Sequence, residues 1–318
     1  MKAGMWISGV AGALAVLMSG AAWAQQPKAP AATPPGGQPP AAAAQANPAL
    51  DRLKQVIDSY YDVPLLYPEN YVCEMRSPEL LNAVDPKLRQ AWGQAYLILT
   101  SGAQGMKISI ENAGSTTLDL SPVANQWQQL LGGAMRQFEA RMPGFVAACA
   151  MSALADYQSA MVRDGAATRI DLKAKSTADM IQGVSLWIDA GNALLRYVVV
   201  DKQGGRLEVA LKNTRLRSPQ PKLLPASVEI YVKRAGVEEK YWVDVDYQNV
   251  FGEKGKEHVL YRNVKLKRTD VKGFLPNQLK AGEVNPVSFQ FSNYRVGQPS
   301  APRTASAPRL EELYMTNR

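Results

Sequence analysis

The sequence of 318 residues contains a single histidine, His258, and only two cysteines, Cys73 and Cys149. One histidine excludes sites built from several histidine ligands, and no C-x-x-C, H-E-x-x-H, G-x-S-x-G or Walker-type loop is present. His258 lies in the Lys/Glu-rich stretch FGEKGKEHVL, where we expect a surface loop histidine rather than a catalytic base. The sequence therefore predicts no enzyme, no metal site and no cofactor.

Charge and cysteine are also scarce at the N-terminal end. Residues 1–24 carry Lys2 as their only charge, followed by an apolar run that ends in Ala22-Trp23-Ala24. This pattern predicts a signal peptide cleaved after Ala24, although an apolar run of this length can also stay as a membrane anchor. No cysteine precedes Cys73, so the new N-terminus would carry no lipidated cysteine. We therefore expect a soluble extracytoplasmic protein, most simply of the bacterial periplasm.

Low-complexity segments flank the predicted folded region. Residues 25–48 are rich in Pro and Ala and carry Lys28 as their only charge, which predicts an extended linker. Residues 49–297 are long enough for one large β-rich domain or two small ones, and we interpret them as one. Residues 298–318 return to low complexity, with a short helix expected at the end.

Positive charge is concentrated at the C-terminal end. Residues 25–253 carry 23 Lys/Arg and 23 Asp/Glu, whereas residues 254–318 carry 12 and 5, an excess of seven positive charges. A basic end of this kind can meet anionic lipid headgroups or an acidic envelope protein. It is equally consistent with a sheet edge that lysines protect. We expect no nucleic-acid binding, because an exported chain without a basic-aromatic motif has no such interface.

Three helix-start signals, each a capping residue followed by proline, occur in the first half of the chain. They predict helices over 48–60, 86–99 and 122–138, where apolar residues recur at helical spacing. Pro143-Gly144 interrupts the third helix. An Ala-rich helix is expected to resume through the stretch FVAACAMSALADYQSAMV, which makes 121–165 a helical segment.

From Ala167 onward the apolar period changes to two, which predicts antiparallel strands. The stretches ALLRYVVV and RLEVALKNTRL flank a Gly-containing turn, ASVEIYVKR and KYWVDVDYQNV form a second hairpin, and HVLYRNVKLKR and VSFQFSNYRV follow. YVCEMRS and GMKISIENA are predicted strands between the helices.

Asp244 and Asp246 share one strand face about 6.5–7 Å apart. Alternation on a solvated face explains this pair without catalysis.

The motif Asn-x-Arg/Lys-Leu/Val occurs three times, at Asn213, Asn263 and Asn293. Asparagine tolerates bulge and turn backbone conformations better than most residues. We therefore expect a kink near each strand end, with the cation outward and Leu or Val back on the apolar face. This predicts a repeated strand architecture rather than a repeated active site.

The stretch VSLWIDAGNALLRYVVVDKQGGRLEVALKNTRL (184–216) resembles the outer-membrane lipoprotein carriers, the LolA-like and LolB-like superfamily. In these proteins a strand ending in W-I-D turns into a hairpin that closes on an F-x-N-x-R-[LV] strand, and FQFSNYRV resembles another closing strand. The resemblance covers 168–216 and 287–297. It implies an α+β fold in which a strongly curved antiparallel sheet, a half-barrel, has helices packed on its concave face. The longer helical segment 121–165 and the two strands around 228–250 depart from the family pattern.

The resemblance also implies a function. It indicates a periplasmic carrier that shields acyl chains of a lipid or lipoprotein in an apolar groove, handing them on without bond chemistry. The alternative is a non-enzymatic envelope interaction or stress-sensing module with the same fold, its groove filled by its own helices.

Candidate site residues follow from the apolar strands and helices. The strand LLRYVVV is apolar on both faces, so either helices cover one face and enclose a cavity, or the strand is central in a thick core. Cys73 and Cys149 form either a disulfide or two buried thiols. The candidate lipid-binding wall comprises Trp187, Tyr197, Val199, Leu207, Val209, Leu211, Val228 and Ile230. The candidate lid comprises Trp127, Leu130 and Phe138.

Overall fold

The computed structural model describes residues 47–61, 71–83, 96–102, 105–111, 121–215, 222–252, 255, 257–268, 286–297 and 309–315. All of them belong to the unit Ala46–Arg318. The predicted signal peptide and nearly all of the predicted linker lie outside the described residues. So do much of the helix expected over 86–99 and most of the low-complexity tail.

Twelve antiparallel strands in the described ranges form one sheet that does not close. The strands are β1 (Tyr71–Arg76), β2 (Tyr96–Gly102), β3 (Gly105–Glu111), β4 (Tyr157–Asp164), β5 (Ala167–Ala174), β6 (Ile181–Ile188), β7 (Leu194–Asp201), β8 (Arg206–Arg215), β9 (Leu223–Arg234), β10 (Val237–Phe251), β11 (Glu257–Arg268) and β12 (Val287–Val296). Their order across the sheet is β3-β2-β1-β12-β11-β10-β9-β8-β7-β6-β5-β4. The two edges are therefore β3 and β4, which are consecutive in the chain.

A few helices accompany the sheet, so the fold is α+β. They are α1 (Pro48–Ser59), α2 (Pro78–Ala83), α3 (Ser121–Glu139), α4 (Pro143–Ala153) and α5 (Leu310–Met315). Because α3 and α4 connect β3 to β4, this helical pair carries the chain from one edge of the sheet to the other. Among the described helices, none is both long and apolar enough to cross a membrane.

The predicted start of the first helix is confirmed. The Asn47 Oδ1 atom accepts hydrogen bonds from the backbone N–H groups of Ala49 at 3.1 Å and Leu50 at 3.4 Å, and Pro48 occupies the first helical turn. This is the capping that helix N-termini require, because their first amides lack partners within the helix. Leu53 and Val56 then point into the core.

Two helix predictions are wrong at their C-terminal ends. The Ala-rich helix ends at Ala153, and Tyr157–Asp164 forms β4 instead, paired without interruption to β5. Gly165, with φ +62°, closes the hairpin between them. Leu99 lies in β2 rather than in a helix, paired with Cys73. At Leu99 a pairing between segments distant in sequence overrides local helix propensity, and at β4 a hairpin with the next strand does so.

All three asparagines of the repeated motif lie at breaks in strand register, as predicted, but Asn263 lies in the middle of β11 rather than near its end. Asn213 borders the break between β8 and β9, and Asn263 borders the break between β10 and β11, where Arg262 is the extra residue. Asn293 lies in the break between β1 and β12 with φ +52°, the left-handed conformation that asparagine tolerates. The motif therefore marks bulges.

The two faces of the sheet differ. The core face, as we call it, shares a single hydrophobic core with buried residues of α1, α3 and α4. The other face, the outer face, carries exposed or half-exposed ion pairs such as Arg169–Asp171 at 2.9 Å and Lys267–Asp244 at 3.5 Å. Lys267 is among the described residues of the basic C-terminal end.

Candidate functional site

Seven of the eight predicted wall residues lie together on the core face of β7, β8 and β9. Tyr197 pairs with Val209, and Val209 pairs in turn with Ile230, so these side chains form a row across the three strands. Six of the seven have no exposed surface, and Leu211 is 6% exposed. The seven are Tyr197, Val199, Leu207, Val209, Leu211, Val228 and Ile230.

Trp187 does not belong to this wall, so that prediction is wrong. In β6 the core positions are taken by Leu186 and Ile188, and strict alternation sends Trp187 to the outer face. There its Nε1–H donates to the Asp164 carboxylate at 2.7 Å, and the Arg196 guanidinium lies 3.9 Å from the ring centroid. An amphipathic tryptophan finds both polar partners and stacking on that face.

Two of the predicted lid residues lie in the core. Trp127 and Phe138 of α3 are buried, and the Phe138 ring meets Tyr261 of β11 edge-on, with centroids 6.3 Å apart. The Gln128 side chain also ties α3 to β3, because its Oε1 accepts the Ile108 backbone N–H at 2.9 Å. The side chain of Leu130 lies outside the described residues.

A buried cation lies between α3 and α4, where sequence reasoning proposed no site. Arg141 has no exposed surface, and its Nη1 donates to the Ala140 carbonyl at 3.4 Å. Its positive charge is felt by Tyr197: burial raises the pKa of that phenol, and Arg141 opposes only part of the increase. The Tyr197 hydroxyl has no hydrogen-bond partner among the described residues. The only sequence signal was an arginine in the break between two apolar helices.

Three tyrosines of β10 to β12 pack in or against the hydrophobic core: Tyr261 is buried, whereas Tyr247 and Tyr294 are half-buried. Burial raises the pKa of Tyr247 and Tyr261 well above the usual value, so both phenols stay neutral. Tyr247 donates to the Pro225 carbonyl at 2.8 Å, and Tyr294 donates to the Tyr261 carbonyl at 2.7 Å. These bonds join neighbouring strands and present ring faces, rather than charges, to the core.

The candidate disulfide is not formed. Cys73 in β1 and Cys149 in α4 are both free and buried. Burial raises the pKa of each thiol to about 12, and the nearby Glu312 carboxylate adds to the effect at Cys149. Both cysteines therefore act as small apolar core residues with neutral thiols.

The prediction that His258 lies in a surface loop is wrong. His258 lies in β11 and is only 5% exposed, beside Gly252, where a Cβ atom would approach the histidine Nε2 to 2.8 Å.

Asp244 accepts from the Ser227 hydroxyl at 2.6 Å, and Asp246 accepts from the Asn263 amide at 3.1 Å. In the described part of the chain, no cluster of three or more His, Cys, Asp or Glu could hold a metal ion.

A separate cavity of about 370 Å³ opens where the Asn293 bulge disturbs the pairing of β1 and β12. Its lining comprises Val72, Cys73, Glu74, Ile98, Asn293, Tyr294 and Arg295. None of the predicted wall or lid residues contributes to it.

Comparison of the chain with family models, curated proteins and solved structures gives no match. The functional proposal therefore depends on the core face, the helices that share its hydrophobic core, and the buried polar groups Arg141 and Tyr197.

Proposed function

We propose that this protein is a periplasmic LolA-like carrier that binds acyl chains of a lipid or lipoprotein between its helices and the core face of β7 to β9. In this proposal the sheet is a half-barrel, and α3 and α4 pack on its concave face as a lid. The observation that supports it best is the row of seven apolar side chains side by side on three adjacent strands.

Binding requires the lid to move, because the wall is fully covered. Tyr197, Val199 and Val209 have no exposed surface, so in this proposal an acyl chain reaches them only after the lid moves. An acyl chain that replaces the lid recovers about 0.8 kcal/mol for each buried methylene. Each methylene of a bound chain therefore offsets part of the apolar contacts that the helices lose.

Two polar groups make the closed state less stable than a purely apolar interface would be. Burial of the Arg141 charge carries a desolvation cost, and so does burial of the Tyr197 hydroxyl, which has no hydrogen-bond partner among the described residues. Opening the lid hydrates both groups. An ester carbonyl or phosphate oxygen of a bound lipid would also accept hydrogen bonds from them.

Export and docking complete the proposal. The N-terminal pattern is that of a cleaved signal peptide, which would release the carrier into the periplasm. The basic C-terminal end would dock an acidic envelope partner or an anionic membrane surface. N-terminal sequencing of the exported protein tests the expected cleavage after Ala24.

The decisive experiment is native mass spectrometry of protein purified from a periplasmic fraction, followed by lipid extraction. A stoichiometric adduct of lipid mass supports the carrier. The proposal is contradicted if the measured mass is that of the protein alone and no adduct forms after incubation with phospholipid and with triacylated peptide.

The Tyr197→Phe variant sharpens this test. Removing an unpaired buried hydroxyl should raise the free energy of unfolding by about 1 kcal/mol while lowering lipid occupancy, because a ligand hydrogen bond is lost. Tyr157→Phe is the matched control: its hydroxyl donates to the Ile181 carbonyl at 2.9 Å, so the change should destabilise the protein. Unchanged occupancy in a stabilised Tyr197→Phe protein would remove Tyr197 from the ligand site.

One observation favours the interaction module as a second candidate. Phe138 and Trp127 are buried in the same core as the wall, as expected of a module whose helices fill their own groove. Slow hydrogen exchange throughout α3 and α4, unchanged by added lipid, would favour the module. Exchange in these helices that changes when lipid is added would favour the carrier.

A further inference from the structure

The two edges of the sheet are treated differently. At the β3 edge, α3 packs alongside and Gln128 accepts the outward Ile108 N–H. At the β4 edge, residues 158–164 are all exposed. Within the described part of the chain, their backbone groups bond only to β5. One edge of the sheet is therefore capped and the other is open.

The open edge has few of the features that normally keep strands from pairing with other chains, and its only charged residues are Arg163 and Asp164 at one end. Sheet edges are usually protected by proline, lysine, bulges or a covering element. The β4 sequence YQSAMVRD contains no proline, glycine or lysine, and its eight residues pair with β5 without a bulge. Met161 and Val162 at its centre are each 44% exposed. An edge with this composition is suited to accept another strand.

We propose that β4 pairs antiparallel with β4 of a second copy of this chain, about a two-fold axis that passes beside Met161. A two-fold axis perpendicular to a continuous sheet keeps each residue on its own face, so residues an even number of positions apart pair. With Met161 opposite Met161 of the second copy, Ala160 lies opposite Val162, Ser159 opposite Arg163, and Gln158 opposite Asp164.

The side chains that this register brings together favour a second copy of the chain as the partner of β4. The apolar residues meet apolar residues at the centre, and no two like charges face each other directly. The charged ends meet uncharged hydrogen-bonding partners, Ser159 and Gln158. The dimer joins two sheets side by side and leaves the wall on β7 to β9 untouched, so it does not depend on the carrier function.

The test is the oligomeric state of the full chain as purified, measured by sedimentation equilibrium across a range of concentrations. The wild-type protein should form a dimer whose fraction rises with concentration. We expect Met161→Lys and Met161→Glu each to dimerise at least tenfold more weakly than wild type. Position 161 is exposed, and circular dichroism checks that both variants fold. Mixing the two variants should restore dimerisation, because opposite charges then meet at the axis.

Two matched variants decide the outcome. Leu195→Lys changes another exposed apolar residue, three strands away from β4, and should dimerise like wild type. Met161→Cys should form an intermolecular disulfide on oxidation, since Cα atoms of paired strand residues lie about 4.5–5.5 Å apart, and Leu195→Cys should not. The proposal would be overturned if the wild-type protein were a monomer at all concentrations, or if charge at position 161 did not change the strength of dimerisation. Pairing of β4 with an unrelated protein instead of a second copy would also overturn it.

Discussion

The core and outer faces of the central strands show how one strand serves two environments. On β8, Val209 has no exposed surface, whereas the next residue, Ala210, is exposed. The core face is apolar and shares one hydrophobic core with buried residues of α1, α3 and α4. The outer face holds a network of Trp187, Arg196 and Asp164. The contrast shows that hydrophobic identity alone does not assign an amphipathic residue such as tryptophan to a face.

The largest expected effect comes from placing a charge on each face of β8 in turn. Val209→Glu puts a carboxylate into a fully buried row, and we expect a loss of about 4 kcal/mol or more, enough to unfold a protein of ordinary stability. Ala210→Glu, one residue along, should change stability by about 0.5 kcal/mol or less. Urea denaturation followed by circular dichroism measures both. Equal effects would mean that β8 does not separate two environments.

The next effect concerns the helices that cover the core face. Phe138→Ala removes a fully buried ring that packs against Tyr261, and we expect a cost of about 3–5 kcal/mol. Phe251→Ala, at a position that is 71% exposed, is the control and should cost little. Thermal and urea unfolding of the two variants should differ clearly. A stable Phe138→Ala protein would show that α3 contributes little to covering the sheet.

A smaller effect concerns the bulge at which β12 changes register. Asn293 has φ +52°, so Asn293→Val should cost about 1–2 kcal/mol because a β-branched residue is strained there. Asn293→Gly should be close to neutral, since glycine adopts the left-handed conformation freely. Chemical denaturation of both variants tests this. A valine variant as stable as the glycine variant would exclude backbone strain at this position.

The smallest effect concerns the outer-face network. Trp187→Phe keeps the stacking with Arg196 but loses the hydrogen bond to Asp164, so we expect a cost of about 1 kcal/mol or less. Lipid occupancy should stay at the wild-type level, because this side chain lies on the face opposite the wall. Urea denaturation and native mass spectrometry give the two readouts. A strong loss of lipid would place the ligand site on the outer face.

Much of the fold was predictable from local sequence. The Asn47 cap, the period-two strands from Ala167 onward and the bulges at the repeated asparagines each depend on interactions within a few residues. Seven of the eight proposed wall residues share one face for the same reason, because alternation along β7 to β9 follows from strand geometry.

The failures come from how each segment packs, whether through a neighbouring hairpin strand, the choice of strand face or a long-range contact. Tyr157–Asp164 reads as a continuation of an Ala-rich helix, yet pairing with β5 makes it a strand. Trp187 reads as a wall residue, yet its neighbours in β6 take the core positions. Whether Cys73 pairs with Cys149, and whether His258 is exposed, likewise depends on the packing of segments far apart in sequence.

The sequence by itself determined where most of the described strands begin and end, which of their residues share a face, and where β8 to β12 are bulged, since these features arise from backbone geometry and side-chain periodicity. Only the tertiary structure decided that β3 and β4 become the two edges, that α3 and α4 bury Arg141 beside Tyr197, and that one edge is capped while the other stays open. These properties depend on which distant segments pack together, and no local pattern records the free energy of that choice.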